Sequence, residues 1–172
     1  AATPDGRFIV FVSTRGGRPN LWRIHSDGSA PTPLTSGTHE TSPSISADGK
    51  WAYFHTNRSG ARTVWRVAVE GGEPEQLTTQ PSSWPSVAPD DKTFACSWWD
   101  PALTKAQVAI LPRDGGEPLR LLDIPVNYWM GSNNHLTRWT SDALALTYVA
   151  KDGGVADIWR QPVDGSAPER VT

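Results

Sequence analysis

Histidines, one cysteine, and loop aromatics set beside arginines are the residues of this chain with chemistry to offer. His39 and His135 each stand just ahead of a strand-like segment, so a repeated fold would carry both to one channel mouth. Two imidazoles there could begin a metal site, but no third ligand stands in register, and the pair is an incomplete metal candidate. His25 closes a strand-like segment and His55 lies within another, in different layers. The single Cys96, inside Thr93-Phe94-Ala95-Cys96-Ser97, reads as a small buried hydrophobe and leaves no disulfide to form within the chain. No G-x-S-x-G elbow, P-loop, G-x-G-x-x-G, H-E-x-x-H or paired C-x-x-C is present. No catalytic residue is assigned, and the chain is read as non-enzymatic with no cofactor.

The elements that must position these residues come from a repeat. Asp5, Asp48, Asp90 and Asp142, spaced 43, 42 and 52 residues apart, open four copies of one template. Each copy runs from a Pro-Asp-Gly-like turn through an apolar strand, a polar loop and an apolar-Trp-Arg strand. An Asp-Gly or Glu-Gly turn and a short Pro-x-x-Leu-Thr-like strand complete it. A period of 40–45 residues with several short strands predicts an all-β fold, a β-propeller of four-stranded antiparallel blades, four in this chain. The blades fall at about 1–41, 42–82, 83–135 and 136–172, in a single propeller region. This is a partial ring, half of an eight-bladed dimer, or an unusual four-bladed closure.

In each blade the strands are named A to D. Strand A ends at the first turn, as in Ser44-Ile45-Ser46, and is only a stump, Ala1-Ala2-Thr3, in copy one. Strand B is apolar on both faces, as in Phe8-Ile9-Val10-Phe11-Val12, which suits cover on both sides. Strand C carries Trp-Arg in three copies, read as packing rather than recognition. A Pro opens each D strand, marking an outer edge. Copies three and four have lost the turn Gly, so their A–B turns should be strained or of another type.

These residues resemble the TolB-type (WD40-like) β-propeller repeat, whose pattern runs SPDG, apolar strand, IW or IY, DG, LT. The stretch from Arg138-Trp139-Thr140 to Asp164-Gly165 looks like propellers attached to bacterial Ser/Thr kinases and transcriptional regulators. The resemblance implies a non-catalytic binding or sensor module for a protein or ligand, in a bacterial signalling or envelope protein. It favours an extracytoplasmic or periplasmic compartment. It also leaves open an enzyme's propeller: the gate of a prolyl oligopeptidase-like peptidase, or an oligogalacturonate-type lyase with a metal held by His.

Chain direction sorts the loops onto two faces. The A–B and C–D turns collect Asp5, Asp27, Asp48, Glu70, Asp90, Asp114, Asp142 and Asp164, acids that such turns require for their own geometry. The B–C loops and D–A crossings make the other face, where function is expected because the period breaks there. Its binding candidates are Trp84, Trp98, Trp99, Tyr128, Trp129, His135, Arg58 and Arg62. In the bland alternative, Tyr128 and Trp129 plug the channel. A net charge of −2, with no dense basic stripe, argues against nucleic acid. No apolar run approaches the ~20 residues of a spanning helix, so no membrane is expected. An open half-ring would expose two apolar sheet faces, which predicts a homo-oligomer if the chain is the whole polypeptide.

Overall fold

The computed structural model describes residues 1–100, 105–124, 137–152 and 155–172; among the described residues there is no helix. Among these residues fifteen strands form four antiparallel sheets. The first holds β1 (Phe8–Ser13), β2 (Asn20–His25) and β3 (Thr32–Pro33), with the amino-terminal stump joined by a bridge from Ala2 to Ile9. The second is β4 (Thr41–Ile45), β5 (Trp51–Ser59), β6 (Ala61–Ala68) and β7 (Glu75–Gln76). The third is β8 (Ser82–Val87), β9 (Thr93–Asp100), β10 (Lys105–Pro112) and β11 (Arg120–Leu122). The fourth is β12 (Arg138–Trp139), β13 (Ala145–Asp152), β14 (Val155–Pro162) and β15 (Glu169–Arg170). Each sheet is a simple meander in chain order, so strands A to D sit as their sequences require.

Between the sheets lies the core, because each B strand is apolar on both faces. Phe8, Val10 and Leu21 meet Ala52, Phe54 and Val67 between the first two blades. Tyr53 and Val64 meet Phe94, Cys96 and Leu111 between the next two. Ala95, Val108 and Ile110 meet Leu146 and Tyr148 between the last two. Full burial of one such side chain contributes about 1.5–3 kcal/mol, so these three seams dominate stability. Cys96 is 1% exposed, and burial pushes its thiol pKa up, which leaves it a packing residue.

The Leu-Thr ending of the D strand has a physical cause. The hydroxyls of Thr35, Thr78 and Thr172 accept the backbone N–H groups of Leu21, Val64 and Ile158 at 2.8–3.0 Å. A side chain thus extends a D ladder that its Pro residues would otherwise cut short.

All four A–B turns share one geometry. Gly6, Gly49, Asp91 and Ala143 donate their N–H to Thr3, Ser46, Ala88 and Thr140 carbonyls, at φ of 69°, 73°, 60° and 60°. The two copies without Gly therefore keep the turn type and hold a side chain in the left-handed region.

The blades are also joined by charge. Arg23 of β2 donates to Val69 O at 2.8 Å and Glu70 Oε2 at 2.6 Å, in the next blade's C–D turn. Arg66 of β6 repeats this with Asp114 Oδ1 at 2.6 Å. In the third blade Ile110 stands in the equivalent place, and Arg120 lies against Gly165 instead.

Candidate functional site

The acidic turn face is explained by folding. Asp5, Asp48, Asp90 and Asp142 each accept a backbone N–H two residues on, from Arg7, Lys50, Lys92 and Leu144. Asp27 and Asp164 do the same with Ser29 and Ser166. Arg113 then ties Asp48 (2.8 Å) to Asp91 (2.6 Å) across two blades. Partial burial works against the charge on Asp48, yet hydrogen bonds from Ser46, Arg113 and Lys50 outweigh it and hold its carboxyl well below the usual range. A cavity of about 470 Å³ on this face is lined by Asp5, Asp48, Glu70, Arg7 and Lys50. These charges are already paired with one another, with Arg23 or with Arg113.

The opposite face carries a second cavity, of about 320 Å³, lined by His39, Thr41, His55, Asn57 and Arg62. Its shape comes from strand A. Ser42-Pro43 in β4 and Trp84-Pro85 in β8 each sit in a break of register against the B strand, a bulge repeated in both blades. The bulged Ser42 and Trp84 hold φ of 59° and 54°, and His39 in the preceding crossing holds 53°. Each such conformation costs a non-glycine residue roughly 1–2 kcal/mol, and strain of this kind clusters at functional sites.

His55 links the two blades at this point. Its Nδ1 accepts the backbone N–H of Trp84 at 3.1 Å, and its ring meets the indole edge-on at 5.7 Å. Nε2 therefore carries the proton and donates to Thr41 Oγ1 at 2.8 Å. Burial first, then the positive charge of Arg62, push the His55 pKa down to about 3, so the ring is neutral at physiological pH. With both nitrogens engaged, His55 has no lone pair left for a metal. Among the described residues no group of three His, Cys, Asp or Glu side chains could hold a metal ion.

The structure thus brings Arg62 and Trp84 together, with the guanidinium 5.9 Å from the indole centroid. It separates other sequence candidates from them. Arg58 is committed to Glu40 at 2.9 Å and lies over Trp65 at 5.1 Å, a structural tie. Trp98 is 6% exposed inside β9, packed between the second and third blades, so it belongs to the core and not to an exposed aromatic surface. Apolar residues line both faces of β9 as far as Trp98 and Trp99, and the strand runs on to Asp100, so Trp98 lies in the strand and not in the B–C loop. Trp99 is half-buried, with its N–H on Pro81 O at 2.9 Å. Tyr128, Trp129 and His135 lie outside the described residues. His39 lines the cavity. Thr41 and Asn57 also line it but carried no sequence signal, because a single polar residue at a strand end resembles any loop residue.

Four meandering sheets joined face to face through three seams define a β-propeller domain. Residues 2–105 match the model of the dipeptidyl peptidase IV (DPP IV) N-terminal region, and the chain belongs to that family. No curated protein matches the chain. Among solved structures, it is similar to a TolB-type protein from Agrobacterium tumefaciens, with 26% identity and a TM-score of 0.61 over 71% of this chain and 48% of that one. TolB from Acinetobacter baumannii is 20% identical, with a TM-score of 0.77 over 99% of this chain and 42% of that one. Porphyromonas gingivalis dipeptidyl peptidase 4 is 14% identical, with a TM-score of 0.66 over 100% of this chain and 32% of that one. The chain spans less than half the length of these solved proteins. The fold is shared with TolB and with peptidase propeller domains.

Proposed function

We propose that this propeller is a non-catalytic binding module, of a bacterial signalling or envelope protein, that takes a protein partner on its loop face. The observation that carries this reading is the junction of Arg62, Trp84 and His55 over a cavity whose rim is held by strained backbone at His39, Ser42 and Trp84. The turn face is internally neutralised by paired charges, whereas this cavity presents a cation, Arg62, that makes no ion pair among the described residues, which supports the loop face as the one kept for a ligand. A displayed library of random peptides tests it. The chain should enrich peptides whose binding is lost in Trp84→Ala and kept in Lys50→Ala on the turn face. No enrichment, or enrichment indifferent to Trp84→Ala, would overturn the reading.

The family match over residues 2–105 supports a second reading, the propeller portion of a peptidase. Under it, the full-length gene encodes a hydrolase domain beside the propeller. Its absence would remove this reading.

A homo-oligomer, for the case in which this chain is the whole polypeptide, is the third element of the proposal. Ile9 is 39% exposed on the open face of the first blade, and Val149 and Ile158 are 47% and 42% exposed on that of the fourth. Equivalent positions in the inner blades are covered by a neighbour.

A further inference from the structure

The cavity on the second blade, beside Trp84 of the third, has an unequal balance of hydrogen-bonding atoms. Asn57 Oδ1 accepts Thr38 Oγ1 at 3.2 Å, which fixes the amide and leaves Nδ2 without a partner among the described residues. Thr41 Oγ1 accepts the Nε2–H of His55, so its own hydroxyl proton is left to donate. Exposed Arg62 makes no ion pair among the described residues; its one recorded contact is the Trp84 ring. His39 adds an exposed imidazole. Among the described residues no carboxylate lines the space. The acid next to His39, Glu40, is fully buried and spent on Arg58, Asn20 and the Gly37 N–H.

Donors therefore outnumber acceptors in the lining, and an occupant rich in acceptors suits it best. The Arg62 guanidinium and the lack of a lining carboxylate among the described residues disfavour a cation. One guanidinium with polar N–H and O–H groups around it matches a monoanion; a phosphate dianion calls for more fixed charge. The contact of Arg62 with Trp84 restrains the long side chain before binding, which lowers the ordering cost. The neutral state of His55 fits this arrangement, since the adjacent guanidinium already supplies the positive charge.

We infer that the cavity of His39, Thr41, Asn57 and Arg62 is a carboxylate-binding site for a peptide chain. Arg62 would take both oxygens in its fork, with Asn57 Nδ2 and Thr41 Oγ1 donating beside it. The inference rests on the reading of this face as a protein-binding surface and gives it a ligand class. The carboxylate could be an acidic side chain or a chain terminus.

Three short glycine peptides separate these sources: one amidated with a central Asp, one with a free C-terminus, and one amidated and neutral. Binding is followed by NMR through the Asn57 side-chain amide and the Arg62 Nε–H. At least one carboxylate peptide should shift these signals saturably, and the neutral peptide should not. Arg62→Gln should weaken binding at least tenfold, and Asn57→Asp, which puts a carboxylate beside the fork, should abolish it. Both positions are exposed, and melting curves check that the variants fold. An equal response to the neutral peptide, no response to any of the three, or unchanged binding in Arg62→Gln overturns the inference. Displayed peptides that need Trp84 yet carry no acid would overturn the carboxylate while leaving the protein-binding face standing.

Discussion

His55 Nδ1 accepts the backbone N–H of Trp84 at 3.1 Å, so a B strand of one blade holds the bulge of the next blade's innermost strand. The bond needs a neutral ring, and this couples the seam to pH. The unfolded histidine titrates near 6.5, whereas the folded one is held at about 3. Below pH 6.5 the unfolded state binds the proton and the native state does not. Stability should therefore be complete above pH 6.5 and fall as the pH drops toward 3, by up to about 1.4 kcal/mol per unit. Urea midpoints between pH 7 and 4.5 should show this slope, and His55→Gln should flatten it.

Glu40 and Arg58 should respond unequally to truncation. The Glu40 side chain is fully buried, while that of Arg58 is 25% exposed and can swing into water. Glu40→Gln should cost about 2–3 kcal/mol, and Arg58→Ala more, because it strands a buried carboxylate. The double variant should recover part of the second loss. Chemical denaturation of the three variants checks the order.

Ala143 holds φ of 60° where the first two blades have glycine. Ala143→Gly should stabilise the protein by up to about 1 kcal/mol, since relief of the left-handed strain exceeds the entropy glycine adds to the unfolded chain. A rise of melting temperature is the expected reading, and Gly49→Ala should lower it.

At Gly115 the C–D turn of the third blade closes on the second. A Cβ there would stand 2.4 Å from Leu77 O and 2.9 Å from Leu77 Cα, both backbone atoms. Gly115→Ala should cost about 2–3 kcal/mol, as overpacking against rigid neighbours does. Its neighbour Gly116 also has positive φ but open space around it, so Gly116→Ala should cost only the backbone strain.

Self-association has its own check in charge. Arg160 is the counterpart of Arg23 and Arg66, and Asp27 the counterpart of Glu70 and Asp114. If a second copy seats its first blade on the fourth, these two residues pair. Light scattering should give an assembly larger than one chain, lost in Arg160→Asp and restored when Asp27→Arg is added. A monomer throughout at high concentration would remove the oligomer from the proposal.

Much of the fold was legible because each blade states its strands separately. Asp48 and Asp142 announced their turns, Trp65 and Trp159 their C strands, and Pro31 and Pro74 the edges. The strain at Asp91 and Ala143 followed from their missing glycines. The site was less legible. The sequence marked Trp84 and Arg62 without pairing them, since one lies in the third blade and the other in the second. Trp98 was taken for a loop-face residue, whereas β9 continues to Asp100 and buries it between blades. Thr41 and Asn57 matter through atoms left over after other bonds are made, a property of the assembled network. Nor do residue types alone tell Arg58, which is consumed by Glu40, from Arg62, which is not.

The arginine joints of Arg23 to Glu70 and Arg66 to Asp114 both run the same way around the axis. The second blade then has both a giving side, in its third strand, and a receiving side, in its third turn. A duplicated blade would inherit plug and socket together and fit behind its parent without new design. A blade set in backwards would meet plug with plug. The heading of these two contacts makes the array extensible by copying and intolerant of inversion.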